Sequence, residues 1–339
     1  MKKCLLYVLG LCLLVTVSCR TADKISVLKM RGNTMGTYYE ITYISDRGYM
    51  SMQPRIDSLL EVFNQSVSTY LPTSVISRVN KANAGDTIPV DDYFATVFTT
   101  AQEVYQKTGG AFDPSVMPLV NAWGFGYKKN PAPTPPDSAA VDSLLKLVDF
   151  TSFTLLQNPY RIIKAKQHTE LDFSAIAKGY GVDVAARFMQ DNGIQRYLVD
   201  IGGEIRANGM NPQDYVWVVA IDQPNDDPAA TNREAAALIQ LNNRSIATSG
   251  NYRNFHLING KKYAHTIDPT TGFPKMSDLL SVSVLHQNCM TADAYATAFM
   301  VLGYQKARNI VENNPQLDAL FIYSDTTGNM QVYRTPGAD

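Results

Sequence analysis

Apolar and polar positions change their spacing repeatedly along this chain, and each spacing predicts an element. Thr37 to Ser45 alternates with the period of two of a strand. Gln53 to Val67 and Asp92 to Lys107 carry apolar residues at helical spacing, and Gly109-Gly110 stops the second helix. Phe112 to Val120 reads as a short helical or turn segment beginning at Asp113-Pro114. Ser138 to Leu147 and Lys178 to Asp191 are helices, the latter closed by Asn192-Gly193. Arg196 to Asp200 and Val216 to Ile221 read as strands, and Asn254 to Asn259 with Lys262 to Thr266 as a hairpin across Asn259-Gly260. Ser281 to Leu285 is a strand, Thr291 to Leu302 a helix capped by Thr291, and Leu320 to Tyr323 pairs with Met330 to Tyr333. Strands and helices alternate irregularly, which predicts an α+β fold of mixed sheets with packed helices rather than a doubly wound parallel sheet.

The N-terminus follows a different logic. Lys2-Lys3 precedes an almost unbroken apolar run from Cys4 to Val17, too short for a comfortable membrane span and suited to a secretory segment. It ends in Thr16-Val-Ser-Cys19, which resembles a bacterial lipoprotein signal with lipid on the Cys19 sulfur. An ordinary signal peptide that happens to contain Cys19 is the alternative. The expected organisation is a signal peptide over 1–18, a tether over 19–25 and a single elaborate domain over 26–339, anchored at a membrane outside the cytoplasm, with the periplasmic side expected. The proline-rich stretch Asn130 to Asp137 reads as a surface loop, because helical sequence follows it.

Composition narrows the chemistry. Of 4 cysteines only Cys289 lies beyond Cys19, so neither a disulfide framework nor a cysteine-rich metal site is available. Cys289 reads as a buried small hydrophobe. The histidines at 168, 256, 265 and 286 lack metal-ligand spacing, so a metal here would be a hard ion held by oxygen. A formal charge of −1, from 30 basic and 31 acidic residues, leaves no basic stripe for nucleic acid.

Several segments carry candidate chemistry. Leu171 to Asp183 reads as a short strand, a small-residue turn and a helix start bearing Lys178; Asp200-Ile-Gly-Gly203 ends a second strand in a double glycine. Open backbone N–H groups, a fixed positive charge and acidic strand ends suit a phosphate or pyrophosphate ligand. A lysine in a first helical turn works against the helix dipole, so it either serves an anion or reaches into solvent. Asp293 and Thr297 share a helix face and form a hard-oxygen pair; they read equally as an acid and a threonine satisfied by their own backbone. Tyr263 to Pro274 places His265 and Asp268 at a strand-to-turn junction, where His265 can act as a base and Asp268 can cap the turn. Tyr70 offers a stacking face or rim packing, and Met30 to Thr37 reads as a loop whose glycines admit close backbone approach.

Taken in order, Met35-Gly-Thr37, Ser68-Thr-Tyr70 with Ser77 and Asn80, Gly110-Ala-Phe-Asp113, Leu171 to Gly179 and Asp200 to Gly203 resemble the FAD:protein FMN transferase family, the ApbE-type flavin transferases. Ile246-Ala-Thr-Ser-Gly250, His265 to Gly272 and Thr291-Ala-Asp-Ala-Tyr-Ala-Thr297 extend the resemblance across about residues 30 to 335. The resemblance implies an enzyme that uses Mg2+ to move FMN from FAD onto a threonine hydroxyl of a partner protein, with release of AMP. Partners of this kind are redox-pump subunits or extracytoplasmic electron carriers. It implies metal ligation by Asp293, Thr297 and the backbone carbonyl of Ala175, and an FAD site lined by Met35, Tyr70, Ala111, Phe112, Asp113, Asp172, Lys178 and Ile267. His265 becomes the first candidate for the base, with Asp268 in reserve. Val75 stands where many members carry an acid, and Cys289 where a small or apolar residue is usual. A metal-dependent FAD pyrophosphatase giving FMN and AMP, and a non-catalytic flavin-binding lipoprotein, are the alternatives.

Overall fold

The computed structural model describes residues 26–45, 51–128, 134–224, 234–251, 255–258 and 260–339. The signal segment, Cys19, the tether, the first half of the proline-rich stretch, Asn254 and Asn259 lie outside them. Strands β1 (Ser26–Thr34) and β2 (Thr37–Ser45) form a hairpin followed by α1 (Gln53–Val67), α2 (Val75–Lys81), β3 (Thr87–Pro89) and α3 (Asp92–Lys107). Next come α4 (Met117–Ala122), α5 (Ser138–Leu145), β4 (Phe153–Leu156), β5 (Arg161–Lys164) and α6 (Ala177–Asp191). A run of strands follows: β6 (Arg196–Ile201), β7 (Glu204–Asn208), β8 (Trp217–Asp222), β9 (Ala235–Leu241), β10 (Ser245–Gly250), β11 (Phe255–Ile258), β12 (Lys261–Ala264) and β13 (Leu279–His286). Helices α7 (Cys289–Leu302) and α8 (Tyr304–Glu312) precede the closing strands β14 (Asp318–Ser324) and β15 (Met330–Arg334).

The α+β expectation holds. An 8-stranded sheet in the order β1-β2-β6-β7-β10-β13-β14-β15 forms the centre, and each of its strand pairings is antiparallel. One face carries α1, α3, α6 and α7, whose apolar stripes merge with the sheet in two cores around Phe63, Phe98 and Phe299 and around Tyr43, Tyr197 and Val182. The β8–β9 hairpin covers the other face through Trp217, Val219 and Ile239. Strand β13, covered on both sides, is therefore buried on both faces and loses its alternation.

Local chemistry fixes the element ends. Asp91 accepts from Phe94 N at 2.9 Å to start α3, and Asp137 accepts from Ala140 N at 2.7 Å to start α5. Met35 (φ 50°) and Gly36 (φ 73°) make the two-residue turn between β1 and β2, so Met30 to Thr34 is strand rather than loop. Gly202 (φ 63°) and Gly203 (φ 102°) do the same between β6 and β7. Leu171 to Phe173 is not a strand; Asn80 holds it by donating to Leu171 O at 2.8 Å and accepting from Leu171 N at 2.7 Å. Thr291 lies inside α7, whose cap position is Asn288.

Helix α7 is buried almost all round, with Ala292, Ala294, Ala296, Ala298 and Phe299 sealed from solvent. A helix of that kind belongs in a core. Its one carboxylate, Asp293, is only 3% exposed. Burying such a group costs several kcal/mol unless partners are supplied, roughly as for any desolvated ion.

Candidate active site

A cleft of about 1250 Å³ opens where α6 begins, along the Asp293–Val301 face of α7 and at the ends of β6, β7 and β10. Its walls include Met35, Tyr70, Ala111, Phe112, Asp113, Asp172, Ala175, Lys178, His265, Ile267, Asp293 and Thr297. Residues from nearly the whole length of the chain thus converge on one space.

The start of α6 and the face of α7 that carries Asp293 and Thr297 line it side by side. In a regular helix Gly179 N–H would donate to the carbonyl of Ala175. Here Tyr180 N donates to Ile176 O as usual, but Gly179 N donates to Asp293 Oδ2 at 2.9 Å. The diversion leaves the Ala175 carbonyl without its helical partner and fixes one oxygen of Asp293. A hydrogen bond to a charged group of this kind contributes about 1.5–3 kcal/mol. Gly179 is required for the approach, because a Cβ there would lie 2.8 Å from Asp293 Cβ. The expected set of open N–H groups for a phosphate is thereby reduced. Ala177 N also has a partner, in Phe173 O.

Thr297 stands one turn beyond Asp293, and its hydroxyl lies 3.5 Å from Ser249 Oγ on β10. Lys178 Nζ meets Glu204 Oε1 at 2.5 Å. Burial works against the charge of Lys178, but Glu204 and Asp293 together outweigh it and hold the ammonium above its ordinary range. Burial pushes the Glu204 carboxyl up to about 7, with the negative charge of Asp293 adding to the rise and Lys178 opposing it. Glu204 Oε2 is buried with no hydrogen-bond partner among the described residues.

The remaining walls recruit other elements. Asp172 accepts from Ser174 N at 2.8 Å, and burial raises its carboxyl. Tyr70 is 61% exposed at the rim, its phenol raised by partial burial and by Asp172. Ser74 Oγ, donating to Ser68 O at 2.7 Å, pins the loop that carries it. Asp113 accepts from Ser115 N and Oγ at 2.7 and 2.6 Å, and burial raises its carboxyl too. Met35 reaches over Gly181, where a Cβ would collide with its terminal methyl. His265 follows β12 and lies edge-on to Phe125 at 6.4 Å, while Phe125 stacks on His256 at 4.2 Å. Ile267 is buried against Leu119, Trp123 and Val141.

Asp268 is the candidate the structure does not bring to the cleft walls. It accepts from Thr270 N at 2.9 Å, pairs with Lys275 at 3.3 Å and is buried, which is the work of a turn cap. Glu204 is the functional group the sequence reading passed over. Only the Gly202-Gly203 turn, which starts β7 directly opposite Lys178, gave a hint of it. Cys289 is fully buried, with Sγ 3.7 Å from Ile205 O, and burial pushes its thiol well up, as expected of an inert small hydrophobe.

The donor set suits a hard cation. Asp293, Thr297 and the Ala175 carbonyl, which lacks its helical partner Gly179 N, offer oxygen, and Glu204 Oε2, orphaned among the described residues, points to a further positive partner. Beside that set sit a fixed lysine, a histidine and an exposed tyrosine.

Residues 35–321 match the model of the ApbE family. An FAD:protein FMN transferase of Vibrio cholerae is 38% identical over 302 residues, covering 88% of this chain and 88% of its own. One from Escherichia coli K12 is 35% identical over 294 residues, covering 86% of this chain and 82% of its own. The solved flavin transferase ApbE from Vibrio cholerae superimposes with a TM-score of 0.83 at 35% identity, covering 92% of this chain and 98% of its own. The apo flavinyl transferase ApbE of Pseudomonas stutzeri gives 0.81 at 29% identity, with 92% and 96% covered.

Proposed function

The chain belongs to the ApbE family, and from that premise we propose that it is an FAD:protein FMN transferase whose acceptor is a threonine hydroxyl on a partner protein and whose chemistry depends on Mg2+. The observation that carries this reading is the placement of Asp293 and Thr297, one turn apart on a buried helix, in the same cleft as Lys178 and His265.

Each residue then has a task. The exposed ring of Tyr70 and the half-buried Met35 offer flat and apolar contact to the rings of FAD, while Ala111, Phe112, Asp113, Asp172 and Ile267 shape the remaining wall. Lys178 brings a permanent positive charge towards the pyrophosphate. A unit charge at 4 Å is worth roughly 4 kcal/mol at an effective dielectric of 20. Asp293, Thr297 and the Ala175 carbonyl would hold magnesium, which when bound supplies Lewis-acid stabilisation of charge on the phosphates. His265 takes the proton from the threonine hydroxyl, whose oxygen is a poor nucleophile until a base assists it. The new bond joins that oxygen to the FMN phosphorus. The bond from that phosphorus to the bridging oxygen breaks, and AMP leaves with the electron pair. No redox residue is needed, because the flavin is cargo.

The sequence of the first 25 residues supports a further reading: the enzyme is tethered outside the cytoplasm by lipid on Cys19, near acceptors such as redox-pump subunits or extracytoplasmic electron carriers.

Substitution of the metal carboxylate tests the reading. Asp293→Ala is expected to abolish Mg2+-dependent release of AMP from FAD while the chain stays folded. Full activity in that variant would remove the proposed metal site.

A further inference from the structure

Helices α6 and α7 both begin without a cap of their own. Ile176 precedes α6 and Asn288 precedes α7, and neither side chain bonds the first turn that follows it. The open N–H groups are taken across the helix pair instead. Asp293 of α7 accepts from Gly179 N in the first turn of α6 at 2.9 Å. Asp183 of α6 accepts from Cys289 N at 3.1 Å and Met290 N at 2.9 Å in the first turn of α7. Each helix thus caps the other with a carboxylate, which also meets the positive end of its partner's dipole.

The spacing makes this possible. Gly179 and Asp183 are four apart on α6, Cys289 and Asp293 four apart on α7, so each pair shares one helix face. Gly179 lets the two faces touch, since a Cβ there would strike both Asp293 and the Cys289 backbone. Asp183 is itself braced by Arg206 of β7 at 2.7 Å. Glu204, two residues earlier on β7 and so on the same face, holds Lys178 at 2.5 Å. Strand β7 therefore grips α6 at two points, with opposite polarity.

We infer that Asp183, braced by Arg206, is a positioning residue for Asp293: it sets where the first turn of α7 lies against α6, and so where the carboxylate oxygen of Asp293 not bound by Gly179 is presented in the cleft. This rests on the reading of Asp293 as a cation ligand given above. A purely structural cap would act differently. It would stabilise α7 wherever the carboxylate came from, including from the helix's own cap position at Asn288. A positioning carboxylate must come from α6, because only then are the two helices tied together.

The experiment compares the purified full chain with Asp183→Ala and with the double variant Asp183→Ala/Asn288→Asp, which offers α7 a cap from its own chain. Mn2+ affinity is read by electron paramagnetic resonance, FAD affinity without cation by flavin fluorescence, and stability by thermal melting. Substitution of groups that orient metal ligands typically weakens binding by about 10–100-fold. We expect Mn2+ affinity to fall at least about tenfold in both variants, FAD affinity without cation to stay within about twofold, and the double variant to regain melting temperature without regaining Mn2+ affinity. If Asp183→Ala does not fold, the double variant alone carries the comparison. Mn2+ affinity that recovers together with melting temperature, or never falls, would overturn the positioning role. No Mn2+ binding by the unsubstituted chain would overturn the metal reading itself, and this inference with it.

Discussion

Gly179→Ala tests the placement of Asp293 with a single added atom. The added Cβ would lie 2.7 Å from the Cys289 carbonyl carbon, about 0.7 Å short of the 3.4 Å at which ordinary contact begins. The obstacle is backbone and a short side chain, neither of which can swing away. The first turn of α7 must retreat by a similar distance, which stretches the 2.9 Å bond from Gly179 N to Asp293 beyond hydrogen-bond range. Three effects on stability combine. Alanine is favoured over glycine within a helix by up to about 1 kcal/mol, overpacking costs about 1–3 kcal/mol, and the lost bond to the Asp293 carboxylate costs about 1.5–3 kcal/mol more, so the net loss is about 1.5–5 kcal/mol. Turnover by the molecules that remain folded falls as well. Misplacing a reacting group by about 1 Å costs on the order of 100-fold, or about 2.7 kcal/mol in the barrier. The assay is AMP release at saturating FAD over a Mg2+ titration, with a thermal melt of the same sample. A folded Gly179→Ala enzyme that turns over within about threefold of the parent would refute the argument that this contact places Asp293.

Other expectations follow from the cleft. Lys178→Met leaves Glu204 buried without its cation and should destabilise the chain by about 3–5 kcal/mol; adding Glu204→Gln should restore most of that in denaturant titration but not the lost FAD affinity, and restored affinity would mean Lys178 does not meet the pyrophosphate. Glu204, raised from 4.5 to about 7 in the fold, favours the folded state while protonated. Its contribution is present below pH 4.5 and lost as pH rises through about 7, so without cation the stability of the parent should fall relative to Glu204→Gln across that window; parallel stability curves would contradict the assignment. His265→Ala should slow transfer by roughly 10²–10⁴-fold with a much smaller change in FAD affinity; if only affinity drops, the base is elsewhere. Tyr70→Ala should weaken FAD binding by about 0.5–1.5 kcal/mol with an unchanged melting temperature, and unaltered binding by fluorescence titration would remove the stacking role.

The helices legible in the sequence were those whose apolar spacing served one buried face. Helices α1 and α3 fall on the expected residues, because each packs one stripe against the sheet. Strand β2 also falls on its expected residues, although Ile41 to Ser45 is buried on both faces. What escaped notice was either context-dependent or weakly patterned. Strand β10 (SIATSG) is made of small and polar residues, and only its place between β7 and β13 makes it a strand. Strand β9 (AAALIQL) has a composition that suits a helix, and the apolar hairpin contact with β8 decides it. Strand β1 did carry a signal, with Leu28, Met30, Gly32 and Thr34 turned inward and Val27, Lys29, Arg31 and Asn33 exposed, although it lies at the sheet edge. Helix α8 did carry a signal, with Tyr304, Ala307 and Val311 on one buried face.

Among the site residues, the hard-oxygen pair and Lys178 could be named from spacing and family resemblance. Their electrostatic partners could not. Glu204 reaches Lys178 through a two-glycine turn, and Asp183 reaches Cys289 across a helix pair, so neither contact leaves a local pattern. Asp268 shows the converse: its turn sequence and its catalytic spacing are the same residues, and only the contact with Lys275 separates the two readings.

The central claim is transfer of FMN to protein, and the most direct measurement is the intact mass of an acceptor. The chain is incubated with FAD, Mg2+ and a threonine-bearing acceptor domain from a redox-pump subunit, and small molecules are analysed in parallel. The account expects the acceptor to gain one FMN, with AMP released in equal amount and none of either without Mg2+. Free FMN and AMP beside an unmodified acceptor, or bound FAD that never yields AMP, would contradict it.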